Sequence, residues 1–348
     1  MTPECNNQST PRQRSGSLRK VRALAAAACA LLLLFSVAPK SAIAQDTPTL
    51  LVLRPAPPKT KKGQKSVTLV TKPIEQADVG EIKIGGKPVT ISAWTPLLKK
   101  SPDQPAFGLQ LVVLIDSMEQ IGINEQFDDM KKLFNALPPN VEIAVGYLLQ
   151  GKSKITQPFT TDRKLAGDAL HIPQDVTSPK NDNGSPYQCL KDLAAHWPDP
   201  DPKKLRAVLM FTDGIDRYNN FQGGDQQNPD VDSAQQSLQR AGIMPFPFYY
   251  MDPNVYQGRS MGGQLEGQAN FDQLTTGAQG VSLYEGQYSP ATFDPLLNRF
   301  YAVLNSMAVA TINVKGSGYK TVDVKPASED VGVIAPDGVT IGNVLPKK

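Results

Sequence analysis

Two apolar runs constrain this chain more than any other feature. Residues 109–119 read LQLVVLIDSME and residues 205–214 read LRAVLMFTDG. Each run is rich in β-branched residues and leucine, and each stops at an aspartate, Asp116 or Asp213. A half-buried strand alternates apolar and polar residues. A continuous apolar run instead reads as a strand covered on both faces, as in a parallel sheet flanked by helices. In open α/β sheets the carboxyl ends of the strands face the crevice where ligands sit. Two carboxylates delivered there form a candidate divalent-cation site. A second reading is purely local: Asp and Gly dominate turns on conformational grounds, which makes Asp213-Gly214 a turn and Asp116 a cap.

The middle of the chain supplies helices to cover such a sheet. Asn124 stands as an N-cap before Phe127, Met130, Leu133, Phe134 and Leu137, which share one helical face. Pro138-Pro139 ends that helix. A second strand is expected over 141–149 and a short helix over 162–170. Ser185-Pro186 has the pattern of an N-cap followed by proline at the first helical position, opening a helix through Trp197. Residues 232–241 form a helix closed by Gly242, and 243–251 a strand whose two prolines place it near an edge. A short helix over 271–276, a strand over 281–284 and a long helix over 290–307 complete the series. This rhythm predicts an α/β fold with a doubly wound, mostly parallel sheet.

The two flanks read differently. Short β-like runs lie at 67–71, 81–84 and 88–93, with Gly85-Gly86 as a hairpin turn. Others lie at 309–314, 321–324, 331–334 and 339–341, with Gly316-Ser317-Gly318 as a second hairpin signal. Neither flank alone has enough apolar surface for a core. They are expected to pair into one small β domain built from both chain ends.

The first 44 residues have the order of a secretory signal peptide. Arg12, Arg14, Arg19, Lys20 and Arg22 precede an apolar run over 23–37, and Ala42-Ile43-Ala44 offers a small-residue cleavage site. The apolar run is shorter than the roughly 20 residues of a spanning helix, so cleavage after Ala44 is expected and an uncleaved anchor is the alternative. The remaining chain carries 30 basic and 32 acidic residues, a net charge of −2. That balance gives no electrostatic case for nucleic acid. Cys5 and Cys29 depart with the signal, which leaves Cys189 alone and excludes an intrachain disulfide. The expected organisation is thus a signal peptide over 1–44, an extended leader over 45–64, a β flank over 65–100, the α/β domain over 105–307 and a second β flank over 308–345. The expected location is secreted, periplasmic or cell-envelope, with no membrane span after cleavage.

Taken in order, the aspartate-ended strand, amphipathic helix, Ser185-Pro186 helix start and Thr212-Asp213-Gly214 resemble a von Willebrand factor A (vWA) domain. Residues 80–95, GEIKIGGKPVTISAWT, and the segment GSGYKTVDV over 316–324 resemble the flanks of the VWFA-related acidobacterial-type subgroup. The resemblance spans roughly residues 65–342. It implies a protein-binding module with a metal-ion-dependent adhesion site. In such sites a D-x-S-x-S loop, a hydroxyl from a second loop and an aspartate from a third hold Mg²⁺ or Mn²⁺. Hard divalent cations want oxygen ligands, and an open coordination position recruits a partner's carboxylate. Carried across, Asp116 takes the first position, Ser185 the second loop and Asp213 the third. Met118 and Gln120 stand where the two serines belong, and a thioether is a poor ligand for a hard ion. The implied site is a degenerate one.

Enzyme readings find less support. Gly258-Arg259-Ser260-Met261-Gly262 satisfies G-x-S-x-G, but that elbow needs a helix after it and a histidine later in the chain. The chain's two histidines, His171 and His196, both precede Ser260, and the glycine-rich sequence that follows it reads as an exposed loop. The expected function is a non-enzymatic binding module that meets a protein partner through loops 116–125, 177–187, 213–230 and 252–268. The alternatives are a metal-independent structural component of an envelope assembly and an enzyme of unrecognised type.

Overall fold

The structure is a computed structural model. It describes residues 47–56, 72–99, 101, 103–116, 120–171, 184–201, 203–216, 228–251, 261–286 and 289–343. In chain order the elements are β1 (Thr47–Pro55), β2 (Val79–Ile84), β3 (Lys87–Val89), β4 (Ile91–Pro96), β5 (Gly108–Asp116), α1 (Gln120–Ile123), α2 (Phe127–Ala136), β6 (Val141–Leu149), β7 (Lys152–Thr160), α3 (Arg163–Asp168), α4 (Pro186–Ala195), β8 (Lys204–Thr212), α5 (Pro229–Ala241), β9 (Ile243–Tyr249), α6 (Met261–Thr275), α7 (Asp294–Ser306), β10 (Ala308–Val314), β11 (Tyr319–Pro326), β12 (Val333–Ile334) and β13 (Gly338–Thr340). No helix among the described residues is long and apolar enough to cross a membrane.

The central sheet has the order β7-β6-β5-β8-β9. Strands β6, β5, β8 and β9 run parallel, and only the edge strand β7 is antiparallel. The apolar run of β5 is explained by its two faces. Leu109, Leu111, Val113 and Ile115 enter one core with α2 and α7, while Val112 and Leu114 enter a second core with α4, α5 and α6. Each such burial contributes roughly 1.5–3 kcal/mol before entropy is set against it. The sheet is therefore doubly wound and mostly parallel.

Both chain ends build a β sandwich. One sheet has the order β12-β1-β10-β4 and the other β13-β11-β2-β3, so each mixes strands from the two flanks. Leu51, Leu53, Ile82, Ile84, Ala310 and Ile312 fill the space between them. Val52 and Val309 point the other way, into the core shared with α7. Gly85 and Gly86 turn the β2–β3 hairpin with φ of 56° and 77°, the paired positive values of a type I′ turn.

Several expectations need correction. Residues 45–64, expected as an extended leader, contain β1, an inner strand paired with β10 over seven residues. The Pro- and Lys-rich composition around it hid the apolar core of Leu50 to Leu53. The Gly316-Ser317-Gly318 segment is not a hairpin: β10 and β11 lie in different sheets, and the glycines carry the chain across the sandwich. Asn124 does not cap α2, which starts at Phe127 after a 3-10 turn over Asn124–Gln126. The strand expected over 281–284 is a single parallel bridge, Phe248 to Leu283. The run at 67–71 and the signal segment lie outside the described residues.

Candidate functional site

Strand β5 is the turning point of the central sheet, with β6 added on one side and β8 on the other. The crevice between β5 and β8 at their carboxyl ends is where such sheets bind ligands. Asp116 ends β5 and Thr212 ends β8, with Asp213 next. The Thr212 hydroxyl donates to Asp116 Oδ2 at 2.6 Å, which joins the two strand ends. Asp116 is 5% exposed and Asp213 only 1%. The backbone N–H of Ile215 donates to Asp213 Oδ1 at 3.0 Å, a local turn that holds the carboxylate in place.

The turn is clamped from outside. Gly214 adopts φ of +73°, and a side chain there would meet Phe271 at 2.6 Å. Its carbonyl accepts from the Tyr187 hydroxyl at 2.6 Å and from Asn270 Nδ2 at 3.1 Å. Burial, followed by the charges of Asp213 and Asp216, pushes the Tyr187 phenol well above its ordinary range, so it stays a neutral donor. Helix α6 closes against the turn through Gly267, where any side chain would overlap the Asp213 carbonyl. This corrects the loop reading of 261–268: the stretch belongs to α6, and Gly267 lets that helix approach the turn closely.

Ser185 sits fully buried at the N-terminus of α4 and accepts from the Gln188 N–H at 3.4 Å. Its capping role is therefore present. Tyr187, two residues on, ties this helix start to the Asp213 turn, and Thr212 ties that turn to the end of β5. Met118 and the side chain of Gln120 lie outside the described residues, as does Ser260.

Sequence reasoning missed Asp216, Asn228, Asn270 and the clamp from Tyr187. Asp216 is 3% exposed and accepts from Asn228 Nδ2 at 3.4 Å, while Asn228 caps α5. The Asn-Pro pair at 228–229 carried that cap signal; nothing local marked Asn270.

In donor chemistry the crevice suits a hard cation, because Asp116, Thr212, Asp213 and Ser185 offer only oxygen. Among the described residues, however, no three His, Cys, Asp or Glu side chains group closely enough to hold a metal ion. The histidines serve elsewhere: His171 Nδ1 lies 2.9 Å from the Ala169 carbonyl, and His196 Nδ1 lies 3.1 Å from Asp192 Oδ1.

No family model matches the chain, and no curated protein matches it. Solved structures do. An aerotolerance-related membrane protein from Bacteroides fragilis is 14% identical, covers 57% of this chain and 99% of its own, and has a TM-score of 0.39. A von Willebrand factor type A protein from Catenulispora acidiphila is 9% identical, with 85% and 74% covered and a TM-score of 0.36. Proximal thread matrix protein 1 from the mussel byssus, described with a zinc-occupied MIDAS motif, is 16% identical, with 61% and 48% covered and a TM-score of 0.35. Likenesses this distant say nothing about what it binds.

Proposed function

We propose that this chain is a vWA-like interaction module, without catalytic activity, that meets a protein partner at the carboxyl edge of its central sheet. One observation carries the reading: the Thr212 hydroxyl donates to Asp116 and so ties the ends of β5 and β8 together, with Asp213 the next residue and buried. Recognition on loops over a rigid sheet is the usual arrangement. In this reading Asp116 and Asp213 hold Mg²⁺ or Mn²⁺ with the hydroxyls of Thr212 and Ser185. The ion would supply an open position for a partner carboxylate. The signal-like order of the first 44 residues supports a location outside the cytoplasm, in the envelope or beyond it.

Manganese is a direct probe. Electron paramagnetic resonance of Mn²⁺ added to the purified protein should show a bound fraction that saturates. Asp116→Asn and Asp213→Asn should each weaken it at least about tenfold, the loss of one charged ligand interaction of roughly 1.5–3 kcal/mol. Equal free Mn²⁺ signals for all three proteins would remove the metal from the account.

A second reading has its own support. Met118 and Gln120, standing where the resembled motif has two serines, favour a metal-independent structural component of an envelope assembly. Partner binding that persists in chelator would select it.

A further inference from the structure

The opposite edge of the sheet carries a separate feature. Arg206 enters β8 six residues before Thr212, a span of roughly 20 Å along the strand. Here, at the amino ends of β8 and β9, lies a cavity of about 830 Å³. That is within the roughly 300–1,000 Å³ typical of small-molecule sites. Leu50 and Val52 of β1, Leu205 of β8, Ile243 and Met244 of β9, and Val339 of β13 give it an apolar wall.

Its charge is one-sided. Lys191, Lys204, Arg206 and Arg240 line the cavity, and among the described residues that line it there is no carboxylate. Lys204 is already engaged, with Nζ 2.7 Å from Glu142 and 3.6 Å from Asp201. Arg206 is different. It is 4% exposed and makes no ion pair among the described residues; only the more distant charge of Asp201 acts on it. Its Nη1 donates a long bond to the Ala241 carbonyl at 3.3 Å, and its Nε has no hydrogen-bond partner. Gln279, also 4% exposed, lines the same cavity with neither amide atom bonded. Buried polar groups are nearly always satisfied, and a guanidinium with one long hydrogen bond and no ion pair in an otherwise apolar wall is a built anchor for an anion. A desolvated guanidinium without a counter-ion is costly, and an entering anion removes that cost.

The wall is also preset. The guanidinium lies 5.7 Å from the centre of the Trp197 ring, and Trp197 Nε1 donates to Gln110 at 2.8 Å. The planar guanidinium matches a carboxylate, and the apolar lining matches hydrocarbon. We propose that this cavity binds a small anionic amphiphile, a hydrocarbon chain bearing one carboxylate, with its head at Arg206 and its chain along the β1–β9 wall. The site does not depend on the aspartate edge.

Trp197 is a built-in reporter, and Trp94→Phe leaves it as the sole tryptophan. Its emission is followed while decanoate, decanol or decyltrimethylammonium is added below micelle-forming concentration. The expected result is a saturable change with decanoate, an affinity at least about tenfold above decanol, and no binding of the cation. Arg206→Met should abolish the preference while retaining decanol binding and the circular dichroism spectrum. Should that variant fail to fold, the decanoate-to-decanol ratio of the Trp94→Phe protein decides alone. Equal affinities, or a preference that survives Arg206→Met, would overturn the carboxylate assignment. No saturable change with any of the three would overturn the site.

Discussion

Gly267 sits inside α6, where alanine is ordinarily the better helix former by roughly 0.5–1 kcal/mol. Here the sign should reverse, because a side chain at 267 would overlap the Asp213 carbonyl. Gly267→Ala is expected to destabilise by about 1–3 kcal/mol, the cost of overpacking, read as a lower denaturant midpoint at constant slope. A raised midpoint would mean that α6 does not close on the Asp213 turn. Tyr187→Phe tests the same clamp from the other side. It leaves the buried Gly214 carbonyl with the weaker bond from Asn270 and should cost about 1 kcal/mol. Ser185→Ala should cost a similar amount, about 1 kcal/mol, through the α4 cap alone, with or without metal.

At the scale of elements, α7 begins with no cap of its own, and α2 supplies one. Asp129 Oδ2 accepts from the Thr292 hydroxyl at 2.6 Å and from the N–H groups of Phe293 and Asp294 at 3.1 and 3.3 Å. Partial burial pushes Asp129 up, but hydrogen bonds from Lys132 and Thr292 outweigh it and hold the carboxyl at about 2, below its ordinary 3.8. The folded value is depressed, so the contribution is complete above pH about 4 and is lost as pH falls through 2. Unfolding of the protein and of Asp129→Asn should differ by a constant amount above pH about 4 and converge only below pH about 2. A gap that stays undiminished between pH 4 and pH 2 would rule out the carboxylate as its source. The elements legible in the sequence are those whose pattern reflects their own burial: β5 and β8 as doubly covered runs, α4 by Ser185-Pro186, the β2–β3 turn by its glycine pair. Those missed depend on neighbours. β7 alternates exposed and half-buried residues around Lys152 and Lys154, the dress of an edge strand, and α6 carries Gly267 where it meets the Asp213 carbonyl.

For the whole molecule, β1 and β10 are strands that face both the sandwich and the α/β core. Leu51 and Leu53 are fully buried on one side of β1, and Val52 is 8% exposed on the other. Deleting Thr47–Pro55 removes these three side chains, about 5–9 kcal/mol of burial at roughly 1.5–3 each. Against a typical stability of 5–15 kcal/mol, that loss should abolish cooperative unfolding of both parts. A deletion protein that keeps one sharp transition would show the sandwich to be dispensable. The candidate site was legible only in part for the same reason. Asp116 and Asp213 mark the strand ends, but the Thr212–Asp116 hydrogen bond that joins those ends depends on β5 and β8 being neighbours, which no local pattern states.

The central claim, a cation-holding crevice at the carboxyl edge, is tested most directly by thermal unfolding in chelator and then in Mg²⁺ or Mn²⁺, beside Asp213→Asn. A ligand of the folded state at about 100 times its dissociation constant stabilises by roughly 2.7 kcal/mol, a rise of several degrees in a chain this long. The account predicts that rise for the protein and none for the variant. Identical midpoints for both proteins at millimolar metal would contradict it.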